Sequence, residues 1–339
     1  MIDLRSDTVT KPTPEMRQVM AEAKVGDDVF REDSTMNKLE QKVARMFGFE
    51  AGLFVPSGTM SNQLCINVLT TPGGEVLIEE EGHICNFEAA AASHLSSVQL
   101  RTLPGNRGKL SPEALQNTVR GLHDWEPDTQ VVALENSTNK GGGACYTEEE
   151  LHEIQDFVKK NKLSVHLDGA RIWNAMIATQ TDPEFYGTVA DTMSVCFSKG
   201  LGAPVGSMML SSAKNIEKSR RMRKMWGGGM RQVGILAAAA DYAIQHHLRL
   251  LESDHERAIQ LAKTIDACSG LSIDMETVAT NILIFKVKQM SARKAVQRLK
   301  ENGIKVTKFG EHKLRATFHF EVDDTALEQT LEVFNDCFG

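Results

Sequence analysis

The sequence has no CxxC pair. Its six cysteines, at 65, 85, 145, 196, 268 and 337, are scattered. They read as the reduced thiols of a cytosolic protein rather than as a disulfide framework. No uninterrupted apolar run is long enough to span a bilayer, and residues 1–11 lack the apolar core of a signal peptide. A cytoplasmic location without membrane attachment is therefore expected. There is no excess of positive charge. The formal net charge is -7, which disfavours general attraction to nucleic acid or anionic lipid. Internal repeats and low-complexity segments are missing too. What remains is ordinary for a globular protein: 339 residues, 41% hydrophobic and 24% charged, enough for two domains with a sizeable core.

Residues 1–14 read as an extended arm, because Pro12 and Pro14 forbid a regular helix there. Helices are expected over Glu15–Lys24 and Ser34–Phe47. From residue 51 strands and helices alternate. The expected strands are Gly52–Val55, Glu75–Glu79, Ser97–Leu103, Gln130–Leu134, Leu163–Leu167, Thr192–Phe197 and Gly206–Leu210. Helical patterns lie between most of them, at Thr59–Thr70, His83–Ser93, Pro112–Arg120 and Thr147–Asn161. That alternation implies an α/β fold, a wound and largely parallel sheet. The last two strands are too close in sequence for a crossover helix, so one of them is expected to run antiparallel. Residues 231–269 are Ala-rich and helical. A smaller α+β module follows, with strands Thr280–Val287, Ile304–Val306 and Leu314–Phe320 and helices Ala292–Glu301 and Asp323–Cys337. The expected division is an arm (1–14), a large domain (15–246) and a small C-terminal domain (247–339).

Ligands of open α/β sheets bind beyond the carboxyl ends of the strands. The expected strands end on Pro56-Ser57-Gly58-Thr59, close to His83, on Glu135-Asn136-Ser137, on Asp168-Gly169-Ala170-Arg171, and on Ser198-Lys199. Small hydroxyl residues opening a helix suit a phosphate. Asp168 and Lys199 are about thirty residues apart, the length of one βαβ unit. They can therefore share one rim. A lysine, a carboxylate and a phosphate cradle on the same rim match the needs of pyridoxal phosphate: a Schiff-base amine, a partner for the pyridine nitrogen, and a seat for the phosphate. The basic run Lys214–Arg223 reads as a solvated or interface helix carrying a Glu217–Arg221 pair. His246 and His247 have no partner at metal-ligand spacing. His166 and Asp168 share a strand face, which is metal-compatible, but the pyridine role suits Asp168 better; His319 reads as structural, and Gly141–Gly143 as a loop. No metal site is expected.

Longer motifs carry a resemblance: DLRSDTVTKPT (3–13), GDDV (26–29), FVPSGTMSN (54–62), GH (82–83), LEN (134–136), HLDGARIWNA (166–175), SKGLGAPVGS (198–207) and GGGMRQ (227–232). With them the chain resembles the low-specificity L-threonine aldolases of the aspartate-aminotransferase-like, fold type I superfamily, over nearly its whole length. The resemblance implies a seven-stranded, mostly parallel sheet in the large domain and pyridoxal 5'-phosphate as cofactor. It implies that Lys199 holds the cofactor covalently and that Asp168 pairs with the pyridinium. Ser57, Gly58 and Thr59 would bind the phosphate, helped by Arg231 from a neighbouring subunit. His83 would stack on the ring and handle the β-hydroxyl proton. Ser6, Arg171 and Arg315 would hold the substrate carboxylate. The implied reaction is retro-aldol cleavage of L-threonine, L-allo-threonine and related β-hydroxy-α-amino acids to glycine and an aldehyde. The implied assembly is a homotetramer built from two dimers.

The chain departs from the family pattern where Phe30, Arg31 and Thr138 replace the usual tyrosine, glycine and histidine, and His123 is an uncertain match to an active-site histidine. Other fold type I reactions on a small amino acid, β-elimination or racemisation, stay open. So does a cofactor-binding protein with little catalysis.

Overall fold

A computed structural model describes residues Met1–Gly339. The chain opens with a short strand, β1 (Ile2–Asp3), and a single 3-10 turn at Asp7–Val9, before helices α1 (Pro14–Ala21) and α2 (Ser34–Met46). Each helix starts on a side-chain cap, Thr13 for α1 and Asp33 for α2, whose oxygen accepts a backbone N–H of the first turn.

The large domain then lays down β2 (Ala51–Val55), α3 (Gly58–Leu69), β3 (Glu75–Glu79), α4 (His83–Asn86), α5 (Ala91–Ser96), β4 (Gln99–Leu103), α6 (Pro112–Leu115) and β5 (Thr129–Glu135). It continues through α7 (Glu148–Asn161), β6 (Ser164–Gly169), α8 (Ile172–Thr179), α9 (Phe185–Val189), β7 (Thr192–Cys196), β8 (Ser207–Ser211) and α10 (Ala213–Met225). The seven strands form one sheet in the order β2-β8-β7-β6-β5-β3-β4. Only β8 runs against the rest, antiparallel to both β7 and β2. The short chain between β7 and β8 forces this, since a parallel return needs a crossover. Strands β3, β5, β6 and β7 are buried almost throughout, as expected of a parallel sheet covered on both faces.

Two expected helices are shorter than their sequence patterns. The His83–Ser93 pattern is broken between Phe87 and Ala90, where Ala89 and Ala90 take left-handed φ of 52° and 59°. The Pro112–Arg120 pattern holds a helix only to Leu115.

Helices α11 (Gly234–His246) and α12 (Leu250–Ala267) carry the chain out of the sheet. Apolar packing changes partners within α12: Leu251 joins the large core, while Ala258, Leu261, Ala262 and Ile265 join the small one. The small module holds β9 (Leu271–Ser272), β10 (Ile282–Val287), α13 (Ala292–Glu301), β11 (Ile304–Lys305), β12 (Thr307–Lys308), β13 (Lys313–Thr317) and α14 (Asp324–Phe338). Its four-stranded sheet has the order β12-β13-β10-β9. Strand β1 leaves the large domain and pairs parallel with β11, Ile2 facing Ile304. No helix of the chain is long and apolar enough to cross a membrane.

Candidate active site

The sheet order places a switch between β3 and β5: the chain leaves β3 outward to β4 and returns on the other side. Ligands of such sheets sit outside this point. His83 follows β3 directly, and its backbone N–H donates to Glu135 Oε2 at the end of β5 (2.8 Å). The other oxygen of Glu135 accepts the Asn139 N–H (2.7 Å). Burial, with Asp168 nearby, pushes the Glu135 carboxyl above its ordinary value.

Asp168 closes β6 beside Glu135. It is buried; its Oδ1 accepts the Ala170 N–H (3.0 Å) and its Oδ2 accepts Asn62 Nδ2 (2.9 Å). Asn62 lies in α3 and its Nδ2 also donates to Glu88 Oε1 (2.8 Å). His83 Nδ1 meets the same Glu88 oxygen at 2.9 Å. The donor atoms of His83, Glu88 and Asp168 lie within 4.8 Å of one another. The Asn62 amide already donates to both carboxylates, so an ion there would have to displace it. His166, one residue pair earlier on β6, is buried between Thr192 and Asn62, and burial pushes it down to about 4. It is a neutral structural histidine.

Lys199 lies just past β7, half-buried. Its carbonyl accepts the Gly202 N–H (2.8 Å) and Thr10 Oγ1 (3.0 Å), which fixes the turn. Trp173 Nε1 donates to the Cys196 carbonyl (2.8 Å) and pins the strand end. Because Val55 and Cys196 both pair with Ser207, the Ser57 turn emerges on the same edge as Lys199. Ser57 caps α3, and the amides of Gly58 and Thr59 in its first turn have no intrahelical acceptor. A Cβ at Gly58 would stand 2.8 Å from Cys196 Sγ. Glycine there lets the helix start approach the strand carrying Lys199.

The arm enters from the other side. Arg171 donates Nε and Nη2 to the two Asp7 oxygens, both at 2.7 Å, and the pair is buried. Burial alone would raise the Asp7 carboxyl, but Arg171 overrides it and, with Lys199 and Arg315, holds it down at about 2. The Arg171 fork expected to hold substrate is thus already engaged by a carboxylate of the chain itself. Arg315 on β13 donates to Asn139 Oδ1 (2.7 Å) and the Arg5 carbonyl (3.0 Å). Its Nε is buried and has no partner. Burial and the neighbouring Arg171 lower its pKa to about 10. Ser6 caps the 3-10 turn of the arm, next to Asp7.

Arg231 is different. Its side chain is 59% exposed and donates to Asp27 at the surface of the chain (2.9 Å). Arg31 takes φ of 62°, where the family uses glycine, and its side chain turns outward to Glu217 (2.6 Å). That contact replaces the expected Glu217–Arg221 pair. The basic helix α10 is only partly solvated, since Arg223 pairs with buried Asp28 and Arg220 with Glu40. His123 stacks on Trp125 (4.5 Å between centroids) just before β5 begins. Within its own protomer it therefore lies at the strand end opposite the site. His319 is buried and bonds the Asp3 carbonyl (2.8 Å). A cleft of about 510 Å³ between the domains, with Arg107, Lys140, Lys286 and Lys313 in its wall, contains none of Lys199, Asp168 or His83. A second, small cavity, of about 10 Å³, is lined by His83, Glu135 and Asp168.

The donor set fits pyridoxal phosphate: an amine, a buried carboxylate and a helix N-terminus share one strand-end edge, and Arg315 on β13 of the small sheet adds an unpartnered nitrogen. Fold and site define the class, a pyridoxal-phosphate enzyme of fold type I. The chain belongs to the beta-eliminating lyase family, whose profile matches residues 3–289. It is 37% identical to low-specificity L-threonine aldolase 1 of Arabidopsis thaliana, covering 98% of this chain and 95% of that one. It is also 35% identical to the alanine racemase TOXG of Cochliobolus carbonum, covering 98% of this chain and 87% of that one. The fold matches a solved threonine aldolase of Leishmania major with a TM-score of 0.85, at 18% identity, over 99% of both chains.

Proposed function

We propose that this chain is a lyase that cleaves L-threonine, L-allo-threonine and related β-hydroxy-α-amino acids to glycine and an aldehyde. The single observation that carries the reading is the shared strand-end edge holding Lys199, Asp168 and the Ser57–Thr59 helix start. Pyridoxal phosphate, when bound, supplies the electron sink that lets the bond between Cα and Cβ break. Lys199 provides the attaching amine. Asp168 supplies a negative charge for the pyridine nitrogen. The amides of Gly58 and Thr59 and the Ser57 hydroxyl, exposed at the helix start, suit the phosphate. Arg231 on the exposed surface suits a phosphate in a second protomer.

Arg315 offers its unpartnered Nε to the substrate carboxylate. Arg171, committed to Asp7, adds charge and braces the arm so that Ser6 stands beside the same group. His83 takes the proton from the β-hydroxyl. We read the working unit as a cytosolic homotetramer of two dimers. Exposed Phe30, Met225 and Ile235 supply apolar surface that such an interface would cover.

The test is aldehyde release from L-threonine, L-allo-threonine and phenylserine, with the visible absorbance of the loaded protein followed in parallel. Lys199→Ala is expected to abolish both the lysine-linked absorbance and turnover. Loaded protein that releases no aldehyde from any of the three would overturn the reading. The similarity to an alanine racemase keeps racemisation as the second reading; D-alanine formed from L-alanine faster than aldehyde from threonine would favour it.

A further inference from the structure

His83 is held at two points. Glu135 holds its backbone N–H and Glu88 holds its ring. Glu88 lies at 2% exposure in the turn between α4 and α5, where left-handed Ala89 and Ala90 follow it and the helix breaks. Its oxygens already accept from two amides: Oε1 from Asn62 Nδ2 (2.8 Å) and Oε2 from Gln63 Nε2 (2.7 Å). The orientation of Asn62 is fixed in turn. Its Nδ2 serves two carboxylates, and its Oδ1 faces His166 Nε2 at 3.2 Å. A carboxylate only accepts hydrogen bonds. The ring nitrogen facing it, Nδ1, must then carry the hydrogen, and in a neutral imidazole the lone pair falls on Nε2.

We propose that Glu88 is a positioning residue that fixes the His83 ring as the Nδ1–H tautomer and so reserves Nε2 as the proton acceptor for the substrate hydroxyl. This rests on the reading in which His83 handles that proton. The step is a simple transfer. The β-hydroxyl O–H breaks, its proton joins Nε2, the O–H electron pair forms the aldehyde C=O, and the Cα–Cβ bond opens with its electron pair left on Cα, for which pyridoxal phosphate would supply the sink.

The charged groups facing His83 are Glu88 from the α4–α5 turn, Asp168 from β6, Glu135 from β5 and Lys199 past β7. Burial disfavours the charged ring and Lys199 opposes it, while Glu88 and Asp168 outweigh both and raise its pKa. Removing the Glu88 charge therefore lowers the pKa. The acid limb of kcat/KM, below which the base is protonated, moves to lower pH.

Histidine labelled with 13C reports the tautomer through the Cδ2 shift, with the His83 signal assigned by its loss in His83→Asn. In the wild-type holoenzyme the neutral ring is expected to show the Nδ1–H signature. This measurement needs no Glu88 variant to fold. In Glu88→Gln the His83 midpoint and the acid limb are both expected to fall by about one unit. kcat is expected to drop by roughly 10²-fold, while the KM for L-threonine and the cofactor absorbance stay within about threefold of wild type. An Nε2–H signature in the wild type, or an acid limb unmoved in Glu88→Gln, would overturn the proposal. If the protein proves not to be an aldolase, the Cδ2 shift still reads the Glu88–His83 contact, so the two failures are distinguishable.

Discussion

Asp254, in α12, is a carboxylate whose two oxygens have no hydrogen-bond partner. It is fully buried, and its nearest cation is Arg257 at 3.6 Å. Burial pushes its carboxyl up to about 7, against the pull of Arg257. A carboxyl whose pKa is raised by folding takes up a proton more readily in the native state. Stability is then greatest below the unfolded value near 4, falls as pH rises toward 7, and stays low above it. Asp254→Asn should therefore stabilise the protein at pH 8 by up to roughly 4 kcal/mol and do little at pH 4. Urea unfolding at the two pH values checks this; equal effects at both would contradict it. At the same scale, the strand-end placement of Lys199 and Asp168 was legible in the sequence because each follows an apolar run. Asp7 was not, because its partner Arg171 lies 164 residues away. Glu88 was hidden for another reason. In a continuous helix, five residues place Glu88 about 140° around the axis from His83. Helix α4 ends at Asn86, before Glu88, and the departure from helical geometry at Phe87 brings the two together.

The helical elements divide by how much of their pattern is local. Helix α13 keeps its expected bounds because a Ser291 cap and an inward stripe of Ala292, Ala295 and Leu299 agree. The His83–Ser93 stretch looks helical by composition, yet exposed Ala90 sits in a left-handed conformation. That conformation costs an L-residue roughly 1–2 kcal/mol, and glycine escapes it. Ala90→Gly is therefore expected to leave stability unchanged or raise it by up to about 1 kcal/mol. Ala238→Gly, inside α11, is expected to lower it by about 1 kcal/mol. Thermal melts of the two variants side by side decide the matter. That one of β7 and β8 must run antiparallel was legible for a topological reason, too little chain between them; that it is β8 shows only in its pairing with β2. The shortness of α6 was missed, although Asn117, left-handed at φ 59° just past the cap Gln116, is a local stop signal.

Across the whole molecule, the arm joins the two domains. Its first residues pair with β11 in the small domain, while Asp7 and Thr10 hold the large domain at Arg171 and Lys199. The Arg5 carbonyl also accepts from Arg315. Removing residues 1–5 is expected to raise the KM for the amino acid more than it lowers cofactor affinity. Limited proteolysis should then cut more readily between the domains. Unchanged KM and unchanged cleavage would show that the arm is dispensable. The sequence announced an extended arm through its prolines, but the destination of that arm depends on strands near the other end of the chain.

That destination sets an order of events during synthesis. Ile2 leaves the ribosome about 300 residues ahead of its strand partner Ile304. At typical elongation rates the gap is roughly 15–60 s. Through that interval the large domain can fold around its sheet while the front of the chain stays unpaired. The clasp can close only after β11 has emerged.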